Sequence, residues 1–389
     1  MNHRPALFAL LLTVCGTTLA QPPASPIAAP PGLPLQHTAG PWDAGHVQGI
    51  AVDQRNGYLY YSFTNLLAKY DFNGALVGTL VGWNGHLGDL DFNPDDGKVY
   101  GSLEYKKDQA FYIAMIDVQR IDRIGVNAAD NDIVRTVYLP EVVNDYTADI
   151  NGDGRFDGDD GRYRGNEASS PDHRYGCSGI DGVSFGPRFG HTGGTPLLTV
   201  AYGIYGNTER SDNDHQVLLQ YDVSQWQAQA RPLLEAQPHH SGPAEVDGKY
   251  FVYTGNTSYG VQNLSYDPAG KRWLMGVYQG KKPDFPNYLM FAVDAQAAPV
   301  RGDLRGVAAA DARAWEQRLL LPLADAGLVD KATGIRGWQQ KADVGLQALG
   351  GGLFYLVDNY REGPQQAAKL RLVRWNDDVR QPFVDVTSH

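Results

Sequence analysis

"HVQGIAVDQRNGYLYYS" at residues 46–62 and "HLGDLDFNPDDGKVYGS" at residues 86–102 align without a gap at a spacing of 40 residues. In that register His46 meets His86, Ile50 meets Leu90, Val52 meets Phe92, Gly57 meets Gly97, Tyr60 meets Tyr100 and Ser62 meets Ser102. Each unit reads as an alternating apolar strand, a turn carrying Asn-Gly or Asp-Gly, a second strand, and a third ending in Tyr-Asp or Ile-Asp. That is the hairpin chemistry of an antiparallel sheet.

Weaker copies follow at "GIDGVSFGP" (179–187), "VQNLSYDPAGKRWLMGVY" (261–278) and "GLQALGGGLFYLVDN" (345–359), with third strands recurring as "LLAKYDF", "YIAMIDV", "VLLQYDV", "LMFAVDA" and "LRLVRWN". One four-stranded sheet cannot bury both of its faces alone, whereas a closed ring of sheets hides them against neighbours. The expected fold is therefore all-β, a β-propeller of five four-stranded blades, with "PAEVDGKYFVYTG" at 243–255 as a candidate truncated sixth. These units resemble the secreted bacterial β-propellers of the NHL and SMP-30-like superfamily over about residues 45–389. The likeness is one of repeat pattern, and no catalytic signature accompanies it. Propellers of this size include lactonases, glycosidases, polysaccharide lyases and binding modules, so the resemblance selects no function.

Residues 1–20 read as an export signal, with Arg4, the apolar core "ALFALLLTVCG" and "TLA" before Gln21. Val14 is too bulky for the lipid-anchor pattern that Cys15 and Gly16 suggest. Residues 21–44 open with six prolines in twenty residues and read as an extended tether, leaving 45–389 as one domain with insertions at about 141–178 and 296–343. The second insertion carries the one clear helical pattern, "AAADARAWEQRLLLPL", with Ala308, Ala312, Trp315 and Leu319 on one face, so a short helical insertion is expected. No later apolar run approaches membrane-spanning length. A net charge of −11 argues against a general nucleic-acid binder. The expectation is a secreted or periplasmic, soluble monomer that meets an extracellular glycan or a small molecule. Once the signal is cleaved Cys177 stands alone, which excludes a disulfide framework and suits a small buried hydrophobe.

"DINGDGRFDGDD" at 149–160 places oxygen-bearing side chains at alternate positions around Gly154 and resembles a dockerin-type calcium loop. The resemblance implies Ca²⁺ held by Asp149, Asn151, Asp153 and Asp157, by the Arg155 carbonyl, and by Asp160 as the closing carboxylate, because calcium takes six to eight hard oxygens. The loop interrupts the link between the second and third units, where it is expected to clamp a segment over the channel mouth.

Propeller topology also predicts which side chains converge on that mouth. Residues before inner strands give His46, His86, Ser178 and Asp181, while loops after second strands give Glu104, Tyr105, Arg210, His215, Lys281, Tyr360 and Arg361. For an enzyme acting on an acidic glycan, Arg210, Lys281 and Arg361 are candidates to neutralise uronate carboxylates, with His46 and Tyr360 as further binding residues. His86, His215 or Tyr105 would serve as the base of a lyase, and Glu104 with Asp181 or Asp214 as the carboxyl pair of a hydrolase. Tyr105, Trp338 and Tyr360 offer stacking surfaces for sugar rings. Two other classes stay open: a metal-dependent lactonase or phosphoester hydrolase using Asp89, Asp181, Glu104 and Asn263, and a noncatalytic binding module. Sequence contains no distances and does not choose among them.

Overall fold

The computed structural model describes Met1 and residues 32–157, 170–308 and 318–387. The export signal after Met1 and the proline-rich part of the proposed tether lie outside the described residues. Five antiparallel sheets are arranged as the five blades of a propeller. Their inner strands are Val47–Asp53, His86–Asn93, Cys177–Gly186, Ser258–Asp267 and Leu346–Gly350.

The aligned repeats show why these segments fold alike. Asp53 and Asn93 each accept a backbone hydrogen bond, at 2.9 Å, from the glycine four residues on, and both Gly57 (φ +74°) and Gly97 (φ +69°) are left-handed. A side chain would be strained in that conformation, which accounts for the shared glycine. Tyr60 stacks on Phe92 of the next blade at 6.3 Å, and Tyr100 meets Phe185 of the blade after that edge-on at 5.0 Å. Ser62 donates to the Gly88 carbonyl at 2.6 Å and Ser102 to the Asp181 carbonyl at 2.6 Å. The matched tyrosine and serine are thus contacts between blades.

At the ring axis the inner strands approach so closely that a Cβ on Gly49 would lie 2.4 Å from Asp89 Oδ1, and one on Gly88 would lie 3.0 Å from Asp181 Oδ1. Polar side chains fill the space between them. Asp89 Oδ2 accepts the N–H groups of Val183 (3.1 Å) and Leu264 (2.9 Å), so one carboxyl joins the second, third and fourth blades. Asp91 Oδ2 accepts from Phe185 N at 2.7 Å, and Gln347 of the fifth blade donates to Asp91 Oδ1 at 3.4 Å. Asn263 donates to the Gln48 carbonyl at 2.7 Å, joining the fourth blade to the first. The axis is therefore plugged at mid-depth, and the mouth above it has a floor.

Three sequence expectations need correction, and a fourth, the helix of the second insertion, lies mostly outside the described residues. Gln36–Trp42 is not tether but a strand antiparallel to Gln365–Trp375 of the fifth blade, in register from Gln36 opposite Arg371, and the C-terminal Phe383–Asp385 pairs with the same strand. Ala39 supplies its apolar contact and is fully buried. The 243–255 segment is not a sixth blade, because Gly248–Tyr253 is the fourth strand of the third blade. Most of the expected helix lies outside the described residues, and its end, Leu319–Leu321, is a strand parallel to Tyr250–Val252. Adjoining leucines followed by Pro322 suit a short strand better than a helical turn. Finally, the described parts of the two insertions pack at the flanks of blades. Residues Pro140–Tyr146 form a helix whose Glu141 and Asp145 both meet the buried Lys249 of the third blade, and Trp338 bridges to Met290 at the outer edge of the fourth.

Asp89→Ala leaves the Val183 and Leu264 N–H groups without an acceptor and is expected to lower unfolding stability by about 3 kcal/mol, the cost of orphaning buried donors. Asp89→Asn keeps an acceptor oxygen and should lose less. Urea denaturation of both variants tests this, and equal stabilities would contradict it.

Candidate functional site

Above the plugged axis opens a cavity of about 620 Å³, lined by side chains from the first four blades. His46 and His86 enter just before or at the start of their inner strands, whereas Glu104 and Tyr105 end the second strand of the second blade. Asp181 lies near the start of the third inner strand, and Tyr278 ends the second strand of the fourth blade. Local strand entry and exit bring them together, as the topology predicts.

Glu104 and Asp181 form the polar floor, each only about a tenth exposed at its side chain. Glu104 Oε2 accepts from Ile180 N at 3.1 Å, and its Oε1 lies 3.3 Å from Lys106 Nζ. Asp181 Oδ2 accepts from Gln262 at 2.9 Å. Burial, followed by the charge on Glu104, pushes the Asp181 carboxyl well above the usual range, with Lys106 and the Gln262 hydrogen bond acting in the opposite sense. The Asp181 carboxyl is thereby favoured in its protonated form relative to an ordinary aspartate.

His86 Nδ1 stands 3.9 Å from Glu104 Oε1 and 3.9 Å from Asp181 Oδ1. These separations exceed a hydrogen bond, and the atom is buried without a hydrogen-bond partner in the structure. The three polar groups therefore face one another with no direct hydrogen bond from the imidazole to either carboxyl. Burial lowers the pKa of His86 to about 3, with Lys106 and His46 adding to the depression. A third of the ring still faces the cavity. His46 Nε2 lies 3.0 Å from Tyr278 Oη, which closes one side of the mouth, and Gln48 reaches His46 from beneath.

The other sequence candidates separate. Tyr105 lines the cavity, but burial pushes its phenol above the ordinary value, so it is a wall and not a base at neutral pH. His215 is only 3% exposed and packs 5.1 Å from the Tyr253 ring, away from the mouth, with its pKa lowered to about 4 by burial. Arg210 turns to its own surroundings, pairing with Asp212 at 2.7 Å and donating to the carbonyls of Pro171 and His173. The Lys281 backbone N–H donates to Asn256 Oδ1 at 3.0 Å, and the residue does not line the cavity. Asp214 is bound to Lys282 at 2.6 Å. Arg361 lines a neighbouring cavity, Tyr360 donates to Glu362 at 3.1 Å, and Trp338 is buried at the blade edge.

Lys106, which the same strand-end loop as Glu104 and Tyr105 brings to the mouth, lines it too, as do Gln48, Gln262, Tyr259, Tyr278 and Lys107, which the sequence did not single out. A signal existed for the glutamines. "VQ" occupies the same place in the inner strands of the first and fourth blades, a polar residue in an otherwise apolar strand. Of the calcium-loop residues, Asp160 lies outside the described residues. Asp149 Oδ1 accepts from Gly152 N (2.8 Å) and Asp153 N (3.1 Å), its Oδ2 from Gly154 N (2.8 Å), and Asn151 Oδ1 from Asp153 N (2.8 Å). None of the described residues of this loop lines the mouth, and the rest of the segment expected to cover it, residues 158–169, lies outside the described residues.

His86 is expected to stay neutral from about pH 5 to 8, the range in which an unperturbed imidazole titrates. Its ring NMR resonances should stay in place across that interval, and a midpoint near the ordinary 6.5 would contradict the burial argument.

No protein-family model matches the chain, and no curated protein matches it. Solved structures to which it is similar include the Dos1 propeller, at 11% identity and a TM-score of 0.34, over 80% of this chain and 52% of that one. Another is hydrazine synthase of Kuenenia stuttgartiensis, at 11% identity and a TM-score of 0.31, over 87% of this chain and 97% of that one. The chain thus spans about half the length of the first of these proteins.

Proposed function

We propose that the chain is an extracellular carbohydrate-active enzyme that hydrolyses an acidic glycan at the propeller mouth. The observation that carries this reading is the orphaned His86 Nδ1 equidistant from two floor carboxyl groups, Glu104 and Asp181. Asp181, held protonated, donates its proton to the leaving glycosidic oxygen as the sugar C–O bond breaks. Glu104 takes a proton from the water whose oxygen forms the new bond to the same carbon. His86 positions a hydroxyl or that water between them. Lys106 and Lys107 supply positive charge for a substrate carboxylate.

The hydrolytic form is favoured over the lyase form because Tyr105 and His215 do not offer a poised base. The metal-dependent lactonase reading is weakened because the Asp89 carboxyl is already committed to holding inner strands. The reading also includes secretion, from the leader-like residues 1–20, and calcium bound at 149–160 as a stabiliser. Asp149, Asn151 and Asp153 fit that ion, since their oxygens already wrap around the backbone of the loop and Gly152 and Gly154 hold positive φ.

Incubation with a panel of acidic polysaccharides should release reducing ends without absorbance at about 235 nm, the signature of base-catalysed elimination. Glu104→Gln and Asp181→Asn should each reduce kcat by about a hundredfold or more, as loss of a general acid or base does. Silence in both readouts, or full activity in both variants, would overturn the reading.

Chelation is expected to lower Tm by a few degrees, and calcium should restore it better than magnesium. At calcium about a hundredfold above Kd the linkage is about 2.7 kcal/mol. Asp153→Ala should abolish the calcium response, and a melting curve indifferent to chelator would remove calcium from the account.

A further inference from the structure

Beside the mouth lies a second cavity of about 320 Å³, and the two share His46 and Tyr278 as a common wall. It is bounded on its far side by Lys341, Asp343, Asn359 and Arg361, all from the segment entering the fifth blade or from its second strand. Lys341 Nζ lies 3.3 Å from Asn359 Oδ1, and no carboxylate forms an ion pair with Lys341 or Arg361 among the described residues. Arg361 rests against Gln366, whose amide, turned so that oxygen faces the guanidinium, accepts from Nε at 3.0 Å and Nη2 at 3.1 Å. Asp343 is 6% exposed, and its Oδ1 is buried without a hydrogen-bond partner.

This arrangement is chemically lopsided in an informative way. Two exposed cations stand at the rim, and a buried carboxyl oxygen without a partner stands within. Cations of this kind, one of them a guanidinium, recognise a carboxylate, while a carboxyl oxygen in need of a donor recognises a hydroxyl. Burial raises the pKa of Asp343, so its charge opposes a bound anion less than an ordinary aspartate would.

We propose that this cavity is a second sugar subsite, binding one uronate residue of the substrate through its carboxylate at Lys341 and Arg361 and through a ring hydroxyl at Asp343. The His46–Tyr278 pair is then the partition over which the glycan chain passes from this residue to the bond at Glu104 and Asp181. The proposal rests on the hydrolase reading for its substrate, but its own evidence is the separate cavity and its side chains.

The probe is trigalacturonate and the same trisaccharide with its carboxyl groups reduced to alcohols, titrated calorimetrically into the Glu104→Gln chain so that no bond is cut. The acidic form should bind at least about tenfold more tightly, in line with the loss of charge-assisted hydrogen bonds on reduction. Adding Lys341→Ala and Arg361→Ala should erase that preference while leaving the reduced form unchanged. Asp343→Asn should weaken both ligands alike, by about threefold, one neutral hydrogen bond. A preference that survives the double substitution, no preference, or no binding of either ligand would overturn the subsite. So would displacement of the trisaccharide by an equal concentration of inorganic sulfate, which would mark a plain anion hole.

Turnover by the unsubstituted enzyme separates the two claims. If no glycan is cleaved yet the preference appears and is lost as described, the reaction falls and the subsite stands. If glycans are cleaved and KM is unmoved by the double substitution, the subsite falls and the reaction stands.

Discussion

The carboxyl group of Asp89 is the constraint on which the rest of the ring depends. It stands on an inner strand of one blade and accepts backbone hydrogens from two others, one of them not its neighbour in the ring. Buried N–H groups need acceptors, and at the axis of a propeller the strands diverge, so no sheet ladder can supply them. Burial pushes the Asp89 carboxyl well above its usual pKa. The same strand carries His86 at its upper end, where an irregularity in register separates Leu87 from Leu90. The group that closes the floor and the group that faces the mouth are therefore positioned by one segment of chain.

Two ionic clusters in this protein illustrate different uses of buried charge. Lys249, only 3% exposed at its side chain, is surrounded by Glu141 and Asp145, with Arg174 on the far side of Asp145. That cluster fastens the short helix of the first insertion to the third blade. Removing one member would strand the others, which is the usual cost of a broken buried pair. At the mouth, Lys106 stands beside Glu104, and His86 Nδ1 lies 3.9 Å from both carboxyl groups without a hydrogen bond. Perturbed groups gathered at an opening in this way mark a candidate site.

The blades were legible in the sequence because the contacts between neighbours repeat. Tyr60 and Tyr100, and Ser62 and Ser102, recur since each performs the same packing or hydrogen-bonding task one blade further on. The closing strand was not legible. "QHTAGPW" has little apolar alternation, and its partner lies more than three hundred residues away. Mouth residues at strand ends, such as His46, His86, Glu104 and Asp181, followed from topology alone. Cations on loops did not, because nothing local says whether a long side chain such as Arg210 turns to a ligand or to the carbonyls of its own neighbourhood.

The ring is joined at a seam where an early and a late segment lie along one strand, Gln36–Trp42 beside residues 366–371 and Phe383–Asp385 beside residues 373–375. Walls of the mouth belong to blades on either side of this seam, with His46 just past it and Tyr278 well before it, and their hydrogen bond closes one side of the opening. Parting the seam would let those walls drift apart, so anything seated across them acts as a second fastener on the circle. Occupancy of the mouth and integrity of the seam are then two readings of a single free energy, each reinforcing the other by mass action.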